Sequence, residues 1–232
     1  MKKLSFLFLV ILFSASYSLH AQKQFSGEII FESKIGGTAD PILLATSENF
    51  TQTVTIIGDK SKAVMKPNEM VAVTQVWDGE KETNFVVIEI TGMGKYYKKW
   101  TPAQMKEKLN LKDFNYSYED DFKTICDYKC QKVVVTATNL EDNSQKEITL
   151  YVTKEIGTPK LNGDNFIGLK GYPLMAITPI DDYCEGCVQI TEAVKITPKK
   201  IKDADFTLPD DAKNIDDNPE LREMLKGAFG EE

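Results

Sequence analysis

The chain has 232 residues, a formal charge of −7, 42% hydrophobic residues and 27% charged residues. That balance fits an ordinary globular protein and excludes a chain that is disordered or of low complexity throughout. The excess of acid argues against a nucleic-acid partner, because phosphate contacts need a basic surface.

Lys2 and Lys3 precede an apolar run at 4–13 that only Ser5 interrupts, and small and polar residues lead on to Leu19-His20-Ala21. This is the pattern of a secretory signal peptide at 1–21, cleaved after Ala21. The run is too short for a transmembrane anchor, which needs roughly 20 apolar residues to cross about 30 Å of hydrocarbon. No cysteine near the cleavage point offers a lipid-attachment site. The expectation is export to the periplasm or the extracellular space. The remaining 211 residues, from Gln22, keep 26 of the 28 basic residues and all 35 acidic ones, a charge of −9. They also lose His20, the sole histidine. Ser-His-Asp and Cys-His nucleophile pairs are thereby excluded, as are histidine-ligated zinc and copper and the usual general base near neutral pH. The sequence therefore predicts no catalytic residues, no metal ligands and no cofactor site.

Residues 22–210 read as one β-rich domain. Alternating or β-branched apolar residues recur at 27–34, 52–57, 71–77, 84–91, 94–100, 132–139, 147–153, 171–178 and 188–198. In the strand at 84–91, Val86, Ile88 and Ile90 share one face and form a candidate apolar pocket. In the last strand, Val188, Ile190, Val194 and Ile196 share a face that Glu192 interrupts. Turn signals separate the runs: Gly58-Asp59, Lys66-Pro67-Asn68, Asp78-Gly79, Gly92-Met93-Gly94 and Glu141-Asp142-Asn143. Asp78-Gly79 is a hairpin signal, because primed turns need positive φ and glycine supplies it without a steric cost. The spacing suggests an antiparallel meander rather than βαβ units.

Helices are few. Thr101 caps a segment at 102–109 that opens on Pro102, and Asn218 caps one at 219–228 that opens on Pro219. A third short helix is expected at 41–47. The segment 211–232 reads as an acidic, solvated tail that carries one of these helices.

The four cysteines stand in two clusters, Cys126/Cys130 and Cys184/Cys187. An even count in an exported chain favours disulfides over a four-thiolate zinc site or a thiol-redox pair. In a simple meander the two clusters sit at opposite ends of strands about 23 Å long, whereas bridged Cα atoms lie within about 7 Å. That geometry favours local bridges, Cys126–Cys130 and Cys184–Cys187, with Glu185-Gly186 at the centre of a tight turn. A cross-cluster pairing would close the longer loop, and the excursion at 154–170 leaves it open.

Phe166-Ile-Gly-Leu-Lys-Gly-Tyr-Pro-Leu174 resembles the signature of the GLPGLI-type and related families of exported Gram-negative proteins of unknown function. The opening Phe25-Ser-Gly-Glu-Ile-Ile-Phe31, the element at 123–132 before a strand, and Asp205-Phe-Thr-Leu-Pro209 fall in the same order as the family's motifs over about 25–210. Cys126 departs from the family's glycine, and Cys184 and Cys187 look like additions. The resemblance implies a fold similar to the LolA/LolB-type periplasmic lipoprotein carriers, an incomplete, half-open antiparallel β-barrel with two or three short helices. It implies a non-enzymatic binding protein for a lipid, an acyl chain or a lipidated partner. The alternative is a structural or protein-interaction module of the cell envelope without a small ligand.

The leader reading predicts that the exported protein begins near Gln22. Intact-mass analysis of the exported protein tests this, and a mass that retains Met1 refutes it.

Overall fold

The computed structural model describes residues 24–37, 50–101, 104, 111–139, 143–163, 165–180 and 184–225. The expected helix at 41–47 lies outside the described residues. The strands are β1 (Ser26–Gly36), β2 (Phe50–Ile57), β3 (Lys60–Asn68), β4 (Val71–Asp78), β5 (Thr83–Ile90), β6 (Gly94–Trp100), β7 (Leu111–Ile125), β8 (Tyr128–Asn139), β9 (Gln145–Thr153), β10 (Tyr172–Pro179), β11 (Val188–Pro198) and β12 (Lys213–Asn214). All belong to one sheet of 12 strands in the order β12-β6-β5-β4-β3-β2-β1-β11-β10-β9-β8-β7. The antiparallel pair β1–β11 is its centre. One meander runs outward from it through β2 to β6, and the other through β10 back to β7. Among the described residues only β12 is parallel to its neighbour, β6. The edge strands β12 and β7 do not pair with each other, so the sheet is open.

Tight turns set the register. Ile57 pairs with Lys60 around Gly58 at φ 58, a glycine where a II′ turn needs one. Ile125 pairs with Tyr128 around Cys126 and Asp127, at φ 46 and 70, the double positive φ of a I′ turn. Asp78-Gly79 plays a different part from the one expected. Its loop is longer than two residues, the positive φ falls on Glu82, and Asp78 Oδ1 accepts from the Glu80 and Lys81 amides. Glycine is needed at 79 for close approach instead. A Cβ there would lie 2.7 Å from the Lys160 carbonyl oxygen and 2.9 Å from that of Asp59.

Three strands are additional to those expected. In β3 the polar Lys60, Ser61 and Lys62 mask the alternation. In β7 the aromatic alternation Phe114, Tyr116, Tyr118 breaks at the acidic run Glu119-Asp120-Asp121. That run lies in one of two register shifts of β7 against β8. Bulges and acid on a long edge strand discourage pairing with another chain. The third is the two-residue β12. The expected shared face of β11 is also broken. The register against β1 shifts between Ile30 and Phe31, which face Lys195 and Ala193. Val194 is the extra residue, and the change of parity leaves it 47% exposed while Ala193 is buried.

One face of the sheet carries the main core. Ile29 and Phe31 of β1, Val54 and Ile56 of β2, and Leu174, Met175 and Ala193 pack with Ile156 and Leu161 from the excursion between β9 and β10. That excursion is tied across the sheet. Thr158 Oγ1 donates to Asp59, and Trp77 Nε1 donates to the Lys160 carbonyl at 2.7 Å. Asn162 Nδ2 donates to the Gly171 carbonyl at 2.7 Å. Its later part, through Phe166 and Leu169, covers Val133, Val135, Ile148 and Leu150 of β8 and β9. These residues of the Phe166–Leu174 motif are therefore packing residues. Gly171, at φ 113, sits so close to the Thr153 carbonyl that a Cβ would lie 2.5 Å from its oxygen.

The sheet also curls. Cys126 Sγ at the β7–β8 turn donates to the Ala193 carbonyl of β11 at 3.3 Å, and Lys123 Nζ donates to Glu192 Oε1 at 2.7 Å. These contacts carry the end of β7 past β8, β9 and β10 to β11.

The tail is partly structural. Among the described residues there is one α-helix, α1 (Pro219–Leu225), and Asn218 Oδ1 accepts from the Leu221 amide as its N-cap. Ile215 is fully buried, and Leu221 is buried beside it. Of the expected helix at 102–109 only Gln104 is described. It is helical, and its side chain and amide exchange hydrogen bonds with Thr101, the reciprocal arrangement of a capping box.

If the tail is part of the core, Ile215→Ala should lower unfolding stability by about 2–5 kcal/mol, whereas Glu220→Ala on the exposed side of α1 should change it by less than about 1. Urea unfolding measures both. Equal, small effects would show that the tail docks without contributing.

Candidate functional site

The sheet's pleat sends Val86, Ile88 and Ile90 to the inner face. There the chain covers them itself. Ile88 is 1% exposed and packs with Tyr96, Trp100, Ile215 and Leu221, and Val86, Ile90 and Leu225 join the same cluster. The cover is held by charge as well as packing. Lys95 Nζ lies 2.8 Å from Asp211 Oδ2, and Lys98 Nζ lies 3.4 Å from Asp216 Oδ1. The hydrogen bond between Lys95 and Asp211 raises the lysine's pKa and lowers that of the carboxyl. The three predicted pocket residues are thus neighbours, as expected, beneath the C-terminal segment. A charge placed at Ile88 would report on folding rather than on a ligand.

The open cavity lies on the other face. The alternate residues of the same strands, Val76 of β4 and Phe85 of β5, pack with Phe206 and Ile201 of the segment that follows β11. Between that segment and the sheet is a cavity of about 520 Å³. Its walls include Val76, Phe85, Phe206 and Leu208, and Lys60, Asp78, Lys81, Lys99 and Asp203 stand around it. The size falls in the range of small-molecule sites, and the apolar floor under a few polar groups matches their usual lining.

Local structure positions these groups. Lys60 follows the Gly58 turn and pairs in register with Asp78. The short 3-10 turn Asp203–Phe206 brings Asp203 and Phe206 over the sheet, and Asp205 Oδ2 accepts from the Lys202 amide at its start. Lys60 Nζ donates to Asp203 Oδ1 at 2.7 Å and lies 4.0 Å from Asp78 Oδ2. Lys81 Nζ is 3.6 Å from the same Asp78 oxygen. The bond to Asp203 raises the Lys60 pKa, so its ammonium stays charged. Sequence reasoning singled out Asp205-Phe-Thr-Leu-Pro209 as a motif, but not Phe206 and Leu208 as lining. A motif has no pleat, and the side of the sheet on which it lands is a tertiary matter.

The cysteines divide. Cys184 and Cys187 form a disulfide with Cα atoms 5.3 Å apart, around the tight turn expected for Glu185-Gly186. The expected Cys126–Cys130 bridge is absent, and both are thiols. The I′ turn is the reason. Cys126 is its first central residue and faces Ala193, whereas Cys130 lies two residues beyond the turn, opposite Lys123, and is fully buried. The hairpin points the two side chains at different partners. Burial raises both thiol pKa values, that of Cys130 to about 11. Such thiols are weak nucleophiles at neutral pH.

Unreduced protein should therefore show two thiols per chain by Ellman titration after denaturation, and Cys130 should react slowly in the native state. A value near zero would restore the second bridge. Folding keeps Cys130 neutral. The stability this adds is fully present below its unfolded pKa near 9.0 and is lost as pH rises through about 11. Cys130→Ala should remove part of the alkaline fall in urea midpoint, with the Tyr128 hydroxyl, also raised by burial, supplying a further part.

No family model matches the chain, and no curated protein does. Among solved structures the chain is similar to one titled "Structure of PNGF-II in C2 space group", with a TM-score of 0.55 at 12% identity. The match covers 87% of this chain and 33% of that one, so this chain spans about a third of its length. At that identity the likeness shows a shared mainly-β fold and nothing of activity.

Proposed function

We propose that this chain is an exported, non-enzymatic binding protein that holds an acyl chain or another apolar group, in a fold of the half-open barrel kind found in LolA/LolB-type carriers. The observation that carries this reading is the cavity of about 520 Å³ floored by Val76, Phe85, Phe206 and Leu208. The curl of the open sheet toward β11 supports the half-open barrel. The lack of histidine in residues 22–232 supports a non-enzymatic role, because the nucleophile pairs that depend on histidine have no base here. The disulfide Cys184–Cys187 supports an oxidising compartment. The family resemblance and its lipid or lipidated partner belong to the same proposal.

The energetics permit it. An acyl chain burying about 12 methylenes gains up to roughly 9 kcal/mol before association costs, which brings micromolar affinity within reach. One observation favours the other reading, a cell-envelope interaction module. Tyr118, Phe122 and Ile167 are 36%, 45% and 46% exposed on and beside β7, apolar side chains that a partner's surface could cover even though the bulged, acidic edge discourages strand pairing.

A fluorescent fatty-acyl probe should bind saturably to delipidated protein from Gln22 onward, and an unlabelled chain should displace it. Phe85→Asp, which places a charge in the cavity at a half-buried position, should weaken binding at least tenfold. Absence of saturable binding at about 100 μM probe, with the circular dichroism of the folded state intact, overturns the acyl reading and leaves the interaction module.

A further inference from the structure

We infer that the cavity beneath the segment at 199–208 takes a single-chain amphiphile with an anionic head group, an inference that rests on the binding reading above. The sign of charge at the cavity is opposite to that of the protein. The chain as a whole carries −7. Around the cavity stand the three cations Lys60, Lys81 and Lys99 and the two carboxylates Asp78 and Asp203.

The carboxylates are occupied. Asp203 accepts the short bond from Lys60, and Asp78 sits between Lys60 at 4.0 Å and Lys81 at 3.6 Å. Lys99 differs from the other two lysines. Among the described residues no carboxylate lies within ion-pair distance of it, and its side chain is exposed at the cavity's edge. Register explains its place. Lys99 is the cross-strand partner of Phe85, so its stem starts beside the aromatic floor and its ammonium reaches the rim.

The arrangement is a short apolar slot whose mouth holds one cation, Lys99, without an ion-pair partner among the described residues. A tail that lies on Val76, Phe85 and Phe206 carries its head group to Lys99. A carboxylate or phosphate monoester there completes an ion pair. A neutral head gains nothing equivalent, and a cationic head meets like charge. The acidic remainder of the surface weakens long-range attraction of anions. Over the few ångströms between Lys99 and a bound head, the local pair dominates because salt and water screen the distant charges.

The test uses protein from Gln22 onward and three probes of equal chain length below their micelle concentrations: decanoate, decanol and decyltrimethylammonium. Isothermal titration at low salt should rank decanoate about fivefold to tenfold tighter than decanol, with the cation weakest. Raising the salt should narrow the gap. Lys99→Gln should bring decanoate to the level of decanol and leave decanol unchanged, while Lys146→Gln on β9 should alter neither. Binding of decanol as tight as decanoate, or tighter binding of the cation, overturns the head-group inference and leaves acyl binding standing. If none of the three probes binds to folded protein, the binding reading fails and this inference falls with it. A Lys99→Gln variant that loses decanol as well indicates a packing role for the lysine stem and likewise overturns the assignment.

Discussion

An open sheet of 12 strands leaves an apolar face that no second sheet meets among the described residues, and the described remainder is arranged around covering that face. The face begins at Ile29 and Phe31 in the central strand and continues through Val54 and Ile56 to Ile88, Tyr96 and Trp100. Among the described residues, two remote stretches supply the cover. Ile156 and Leu161 come from the excursion between β9 and β10, and Ile215 and Leu221 come from the C-terminal segment. Each buried aliphatic side chain contributes on the order of 1.5–3 kcal/mol. The polar ties that hold the covers, Thr158 to Asp59, Trp77 to Lys160 and Asn162 to Gly171, each add about 1. Apolar burial therefore drives the docking, and the hydrogen bonds fix where the covers land.

The same constraint places the cavity. Once the inner face is closed by the chain itself, the apolar residues of opposite parity, Val76 and Phe85, are left on the outer face. The segment that leaves β11 crosses them, and Phe206 and Ile201 reach the sheet. A short connecting segment with one 3-10 turn covers less area than a helix. It leaves a hollow with charged residues at the rim rather than a sealed core. The ion pairs of Lys60 with Asp203 and Asp78 connect this segment to β3 and β4, so the cavity's roof and floor are joined by charge. The pair with Asp203, whose carboxylate is open to solvent, contributes at most about 1 kcal/mol.

Much of the architecture follows from the sequence alone, because alternation at period two and turn chemistry are local. Nine strands, the Gly58 turn, the N-caps Thr101 and Asn218 and the tight Cys184–Cys187 turn are all readable from neighbouring residues. So is the inward grouping of Val86, Ile88 and Ile90, since parity within one strand is a sequence property. The absence of histidine after residue 21, which narrows the available chemistry, is likewise a matter of composition.

Tertiary structure decided what lies opposite each face. A β-bulge at Val194 reversed the parity of a strand whose alternation places Val194 on the same face as Val188 and Ile190. A I′ turn sent Cys126 to Ala193 and Cys130 into the core, so two cysteines with a bridging spacing stay apart. Gly79 is required by the approach of Lys160, 81 residues away, and no local signal carries that. An acidic tail with the composition of a solvated end buries Ile215 and Leu221, because two apolar side chains at the right spacing suffice once a sheet face is waiting. The cavity, finally, depends on the face to which residues 199–208 return. Period and composition state which residues are apolar, but only the path of the chain in space states which of them are left uncovered.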